Sequence, residues 1–276
     1  MAKLYVVGTP IGNLGDITYR AVETLRSVDF VCAEDTRVTA KLLNYLEIKK
    51  PLVSHHEHNK KPSCDVITAR ILNGENCAIV TDAGMPCISD PGEDLVRYCA
   101  KHGVEVVVVP GPSAAISALA ISGLSTAKFS FQGFLSVSKR SRYEQLGQAA
   151  SIPDTLIFYE APHKLCDTLS DMLKYFGDRK ISLCREITKL HEEVLRMTIS
   201  EAVEYYKTVS PRGEYVLIVE GNTQQADEAV TLEAAVLQAK ELSDKGMRKS
   251  DAAKQVAKLT GFSKGDIYSA LIASEE

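Results

Sequence analysis

A chain of 276 residues with 45% apolar content can build two domains with full cores and a small appendage. Its formal charge of −4 excludes a global basic field for nucleic acid, so any such contact must be a local patch. Seven scattered cysteines without a Cys-x-x-Cys, no signal-peptide pattern after Met1, and no apolar run near the roughly 18–20 residues of a membrane helix predict a reduced, cytoplasmic protein that makes no membrane contact.

In chain order, Lys3 to Val7 reads as a strand, followed by a Gly-rich loop, Gly8 to Asp16. Thr9, Pro10 and Ile11 interrupt that loop, so it does not fit the G-x-G-x-x-G dinucleotide pattern. A helix follows with Ile17, Ala21, Val22, Leu25 and Val28 as its inner stripe. Strand Phe30 to Ala33 ends in Glu34, Asp35, Thr36 and Arg37. A helix cap and its first-turn acids explain Asp35 or Thr36 but leave the cation Arg37 unexplained near a helix start. Pro51 to Ser54 is a third strand, ending in His55, His56 and His58. Adjacent histidines on an extended chain point to opposite sides, and no distant Cys/His pair is evident. The expectation is therefore a polar, substrate-facing loop and no metal.

A helix over 62–73 leads to the stretch that organises the chain. The apolar run Cys77 to Val80 breaks into Thr81, Asp82, Ala83, Gly84, Met85 and Pro86, and Pro91-Gly92 then starts a helix carrying Leu95, Val96 and Cys99. Small residues at a strand's carboxyl end let backbone approach a ligand, and open α/β sheets bind ligands there. The same design recurs at once, with Val104 to Val109 ending in Pro110, Gly111, Pro112, Ser113 and Ala114. The helix 113–123 is apolar all round and is expected to be deeply packed.

Beyond it, Phe129 to Phe134 alternates, and Lys139, Arg140 and Arg142 form a basic patch before a helix. Strand Thr155 to Tyr159 ends in Glu160 and is followed by a helix over 164–176. Strand Lys180 to Cys184, an antiparallel strand Val194 to Ile199, a helix over 200–207 and strand Glu214 to Glu220 complete a mixed sheet. Residues 221–229 read as a polar linker. The tail is helical by pattern, with a helix–turn–helix around Gly261. Within 245–264, basic residues at 245, 248, 249, 254, 258 and 264 stand against the single acid Asp251. The organisation expected is an N-terminal α/β domain with a parallel sheet (1–112), a second α/β domain with a mixed sheet (113–222) and a helical module (223–276).

Six blocks in order carry a resemblance: Val7 to Asn13, Ala33 to Arg37, Thr81 to Pro86, Pro110 to Ala114, Phe158 to Glu160 and Gly213 to Ile218. They resemble the tetrapyrrole (corrin/porphyrin) methylase superfamily, and within it the branch that methylates ribose 2′-oxygens of small-subunit ribosomal RNA. The resemblance implies S-adenosylmethionine in a cleft between the two domains, a homodimer, and a cytidine ribose of the 16S decoding region as substrate. By motif position, cofactor contacts fall on Pro10, Ile11, Asp82, Ala83, Gly84, Met85, Ile88, Ser113, Ala114, Glu160 and Ile187. Porphyrin-acting members carry Gly-Asp-Pro where this chain has Gly84-Met85-Pro86, so their acceptor does not carry over.

A 2′-hydroxyl acceptor calls for alignment with the donor methyl and for a nearby base. Glu34, Asp35 and the histidines are candidates for that base, and Asp35 with Arg37 is the favoured catalytic pair, the arginine gripping an adjacent phosphate. RNA contacts are expected at Lys139, Arg140, Arg142, Arg248 and Lys249. The residues leave two alternatives open: a tetrapyrrole or other small acceptor, and a ligand-sensing DNA-binding regulator that uses the tail.

Overall fold

The computed structural model describes residues 2–56, 60–222, 232–244 and 246–273. His58, Lys245 and most of the linker expected at 221–229 lie outside these. The chain divides into two compact units, Met1–Gly221 and Asn222–Glu276.

The first unit holds two five-stranded sheets. In the first, β1 (Lys3–Val7), β2 (Phe30–Ala33), β3 (Leu52–Ser54), β4 (Cys77–Val80) and β5 (Glu105–Val109) run parallel in the order β3-β2-β4-β1-β5. Strict alternation within these short apolar strands feeds two cores. Phe30, Cys32, Cys77 and Ile79 face α3 (Lys60–Leu72) and α4 (Glu93–Lys101) through Ile67, Ile71, Leu95 and Cys99. Val31, Ala33, Ala78 and Val80 face α1 (Tyr19–Ser27) and α2 (Thr36–Tyr45) through Ala21, Leu25 and Leu43. A sheet covered on both faces needs strands apolar at every position, which β2 and β4 are.

The second sheet has the order β6-β7-β10-β8-β9. Its strands are β6 (Phe129–Phe134), β7 (Thr155–Glu160), β8 (Lys180–Arg185), β9 (Glu193–Thr198) and β10 (Tyr215–Val219). Only the β6–β7 pair is parallel, so the sheet is mixed as expected. One face, with Leu156, Phe158, Leu183 and Leu217, packs on α6 (Lys139–Ala149), α7 (Leu165–Phe176) and α8 (Ile199–Tyr205). The other face, with Ile157, Cys184, Val216 and Ile218, packs on α5 (Ala114–Ser122) through Ala115, Ala118 and Leu119. The expectation that α5 would be buried all round is corrected, because Ile116 and Ile121 remain exposed. A helix resting on a single sheet has only one face to bury.

The second unit is a three-helix cluster of α9 (Leu232–Asp244), α10 (Lys249–Thr260) and α11 (Lys264–Ala273), closed around Ala235, Ala239, Ala252, Ala253, Val256, Ile267 and Leu271. Gly261 ends α10 in the left-handed conformation (φ 79°), at the turn expected from the sequence. All seven cysteines are free, and no helix among the described residues is long and apolar enough to cross a membrane.

Candidate active site

Parallel strands deliver their carboxyl ends to one rim, and the loops after β1, β4 and β5 meet there. Gly8 and Gly111 cross so closely that a Cβ on Gly8 would stand 2.7 Å from the Gly111 Cα and 2.7 Å from the Met85 sulfur. Thr9 and Gly84 exchange backbone hydrogen bonds of 2.9 and 3.2 Å, and the Thr9 hydroxyl donates to the Thr81 carbonyl at 3.2 Å. Gly84 adopts φ 89°, and a side chain there would press on Ile11, with Cγ2 3.3 Å from the added Cβ. Small residues at these loops are thus required by the close approach of the loops to one another.

The second sheet presents the opposite wall. Because β10 runs antiparallel to both β7 and β8, Tyr215 registers with Glu160 and with Arg185. The start of β10 therefore lies beside the ends of its neighbours. Between the walls is a cavity of about 440 Å³, within the range of small-molecule sites. Ile11, Ala83, Gly84, Met85, Ile88, Ser89, Asp90, Ser113 and Ala114 line it from one side. Phe134, Tyr159, Glu160, Ala161, Pro162, Cys184, Glu186, Ile187, Lys189, Glu214, Tyr215 and Val216 line it from the other. Nine residues expected at a cofactor site are thus in the lining, while Pro10 and Asp82 flank it.

Four of the five non-glycine residues with positive φ among the described residues lie in the cavity's loops: Cys87 (70°), Ser89 (66°), Glu186 (52°) and Thr188 (68°). Such strain persists where the surroundings over-determine it, and it gathers at functional sites.

The polar groups of the lining are mostly committed. Buried Glu160 accepts from the Ala161 N–H (2.8 Å) and the Thr168 hydroxyl (2.6 Å). Lys189 bridges Glu186 (2.9 Å) and Glu214 (2.8 Å). Burial works to lower the lysine's pKa, but hydrogen bonds to the two carboxylates outweigh it and the net shift is upward. The Tyr159 hydroxyl accepts from the Ala115 N–H at 3.2 Å, at the start of α5, and burial pushes its pKa up. Asp90 differs from these acids. Burial pushes its carboxyl up to about 6, with the charges of Glu34 and Asp82 adding to the shift, while Thr81 works against them. Nothing in the sequence reading singled out Asp90, although it sits inside the organising stretch, just before Pro91-Gly92.

Asp35 and Arg37 are brought together but do not line the cavity. Asp35 caps α2, accepting from the Arg37 N–H at 2.8 Å, and its side chain grips the Arg37 guanidinium with contacts of 2.6 to 3.2 Å. Hydrogen bonding from Arg37 holds the Asp35 carboxyl at about 2, which makes it a weak base. Arg37, with a side chain 87% exposed, stays available to an anion.

His55 departs from the substrate-facing loop expected of it. Its ring is buried, with Nδ1 2.7 Å from the Ser63 hydroxyl and Nε2 3.4 Å from Asp94. Asp94 also accepts from Cys64 at 3.8 Å. Burial, with Asp94 adding to it, pushes that thiol up to about 12. Of the basic patch, Lys139 and Arg140 are exposed, whereas Arg142 is buried and paired with Asp171 at 2.7 Å. The patch lies within the first turn of α6 rather than before it, so Arg142 falls on the inner face. Arg248 is exposed at the cap of α10, and Lys249 is half-buried in its first turn.

Two α/β halves joined around a ligand-sized cavity, with glycine crossings on its wall, define a protein built to enclose a small molecule. Residues 3–203 match the tetrapyrrole (corrin/porphyrin) methylases, and the chain belongs to that family. It is 47% identical to the ribosomal RNA small subunit methyltransferase I of Halalkalibacterium halodurans, over 96% of this chain and 93% of that one. It is 42% identical to the protein of the same name from Synechocystis, over 97% and 96% of the two chains. Among solved structures, a diphthine synthase superposes with a TM-score of 0.62 over 80% of this chain and 90% of that one. At 12% identity, this likeness is one of fold.

Proposed function

We propose that the protein transfers a methyl group from S-adenosylmethionine to the 2′-oxygen of a cytidine ribose in the decoding region of 16S ribosomal RNA. The observation that carries this reading is the similarity, over more than nine-tenths of both chains, to relatives named for methylation of small-subunit ribosomal RNA. The cavity supports it, because the backbone cradle at Gly84, which a side chain would fill, suits a ligand of the cofactor's size. In this reading Ile11, Ala83, Gly84, Met85, Ile88, Ser113, Ala114, Glu160 and Ile187 hold the cofactor, with Pro10 and Asp82 shaping the loops behind them. When bound, S-adenosylmethionine supplies an electrophilic methyl group, so the chain's own task is to align an oxygen in line with it and exclude water.

In this reading Arg37, oriented by Asp35 and exposed, holds a phosphate beside the acceptor. Lys139, Arg140, Arg248 and Lys249 supply local positive charge for RNA, which the overall charge of −4 does not. Each sheet with its helices, 1–112 and 113–222, acts as one domain of the clamp, and the active form is a cytoplasmic homodimer. The test is transfer of labelled methyl from S-adenosylmethionine to naked 16S RNA and to assembled small subunits. Label in either RNA is expected. Label only in a tetrapyrrole, or sequence-specific binding to duplex DNA without any transfer, contradicts the reading.

A further inference from the structure

Four carboxylates line the cavity: Asp90, Glu160, Glu186 and Glu214. Both Glu160 oxygens already accept hydrogen bonds, and Lys189 neutralises Glu186 and Glu214. Asp90 has no cation beside it among the described residues, and its neighbours are the acids Glu34 and Asp82, the phenol Tyr159 and the Thr81 hydroxyl. The turn that carries Asp90 is tightly determined. Cys87 and Ser89 sit at positive φ, and a Cβ on Gly92 would stand 2.7 Å from Ile79 Cδ1 and 2.9 Å from the Cys87 sulfur.

Thr81 joins the carboxylate to a second acid. Its hydroxyl donates to Glu34 Oε2 at 2.8 Å, and a hydroxyl has one proton and two lone pairs. The same hydroxyl also favours the ionised form of Asp90, holding its pKa below what burial and the neighbouring acids would set. A chain Asp90–Thr81–Glu34 thus runs from the cavity wall to the end of β2.

We propose that Asp90 is the general base of the methyl transfer. The inference rests on the oxygen acceptor proposed above. As the new O–C bond forms and the C–S bond of the sulfonium donor breaks, Asp90 takes the hydroxyl proton. The sulfonium charge and the carboxylate charge disappear together, leaving a neutral thioether, a methyl ether and a carboxylic acid. A base of pKa about 6 is more than nine-tenths ionised at pH 7 yet still holds a proton well, a compromise that favours general-base catalysis.

Three measurements on the full-length protein test this. Carboxyl ¹³C resonances of the ligand-free protein should include one that titrates near 6 and is missing from Asp90→Asn. Calorimetry should show Asp90→Asn binding S-adenosylmethionine within about threefold of wild type. Single-turnover transfer should fall by about 10²- to 10⁴-fold, lose the wild-type decline below pH 6, and recover in part in Asp90→Glu. An unchanged rate, an ordinary Asp90 titration near 4, or a loss of affinity matching the loss of rate overturns the proposal. Should Asp90→Asn not fold, Thr81→Val replaces it. Removing the hydroxyl that lowers the Asp90 pKa should move the acid limb of the rate profile upward, and an unmoved limb overturns the proposal equally. Wild type run in parallel separates the two claims: ribose product with an inert Asp90 refutes only the base, whereas methyl on a nucleobase refutes the acceptor and the base with it.

Discussion

Gly84 shows how a single missing side chain shapes the site. Its φ of 89° disfavours any L residue, and its carbonyl and N–H both pair with Thr9. Gly84→Val should cost about 1–3 kcal/mol of stability in urea unfolding. It should also weaken S-adenosylmethionine binding at least tenfold by calorimetry, because the branched chain enters the cradle beside Ile11; wild-type affinity in a folded variant contradicts this. Asp35 behaves differently. Its carboxyl is held at about 2, below the ordinary 3.8, so its contribution to stability is fully present above about pH 4 and is lost as pH falls through 2. Asp35→Ala should therefore lower Tm at pH 7, with the difference closing toward pH 2, and transfer should stay within about tenfold of wild type. The sequence pointed to Asp35 and not to Asp90, and only the fold shows that Asp35 spends its charge on Arg37 while Asp90 has no cation beside it among the described residues.

The elements themselves were legible because each strand of the parallel sheet is short, largely apolar and closed by a polar or small-residue loop, so β1 to β5 fall within a residue or two of expectation. Periodicity could not reveal which side of α6 faces the core. Lys139, Arg140 and Arg142 read as one patch in sequence, yet the 100° turn per residue sends Arg142 inward to Asp171. Arg142→Met should cost about 3–5 kcal/mol, since it leaves Asp171 an uncompensated buried charge. Reversing Lys139 and Arg140 to Glu should leave stability within about 0.5 kcal/mol. The two classes also separate in RNA binding. The double reversal should flatten the log–log salt dependence of affinity by about 0.7 for each phosphate that is no longer neutralised. Equal slopes in wild type and variant would show that these two residues touch no phosphate.

At the scale of the whole molecule, the cavity exists only because two differently built sheets, one parallel and one mixed, turn the loops at their strand ends toward each other. The sequence announced the first wall through Thr81 to Pro86 and Pro110 to Ala114. Most of the second wall, including Tyr159, Lys189 and Glu214, was missed because those residues come from separate strand ends and loops with no small-residue signature. The chemistry proposed for this enclosure is transfer to an oxygen beside a phosphate, with Asp90 at the cavity wall as its base. The most direct measurement is nucleoside analysis of methyl-labelled small-subunit RNA by digestion, glycosidic cleavage and mass spectrometry. The account predicts that the label stays with the sugar of a cytidine as a 2′-O-methyl group. Label that leaves with the free base would contradict it.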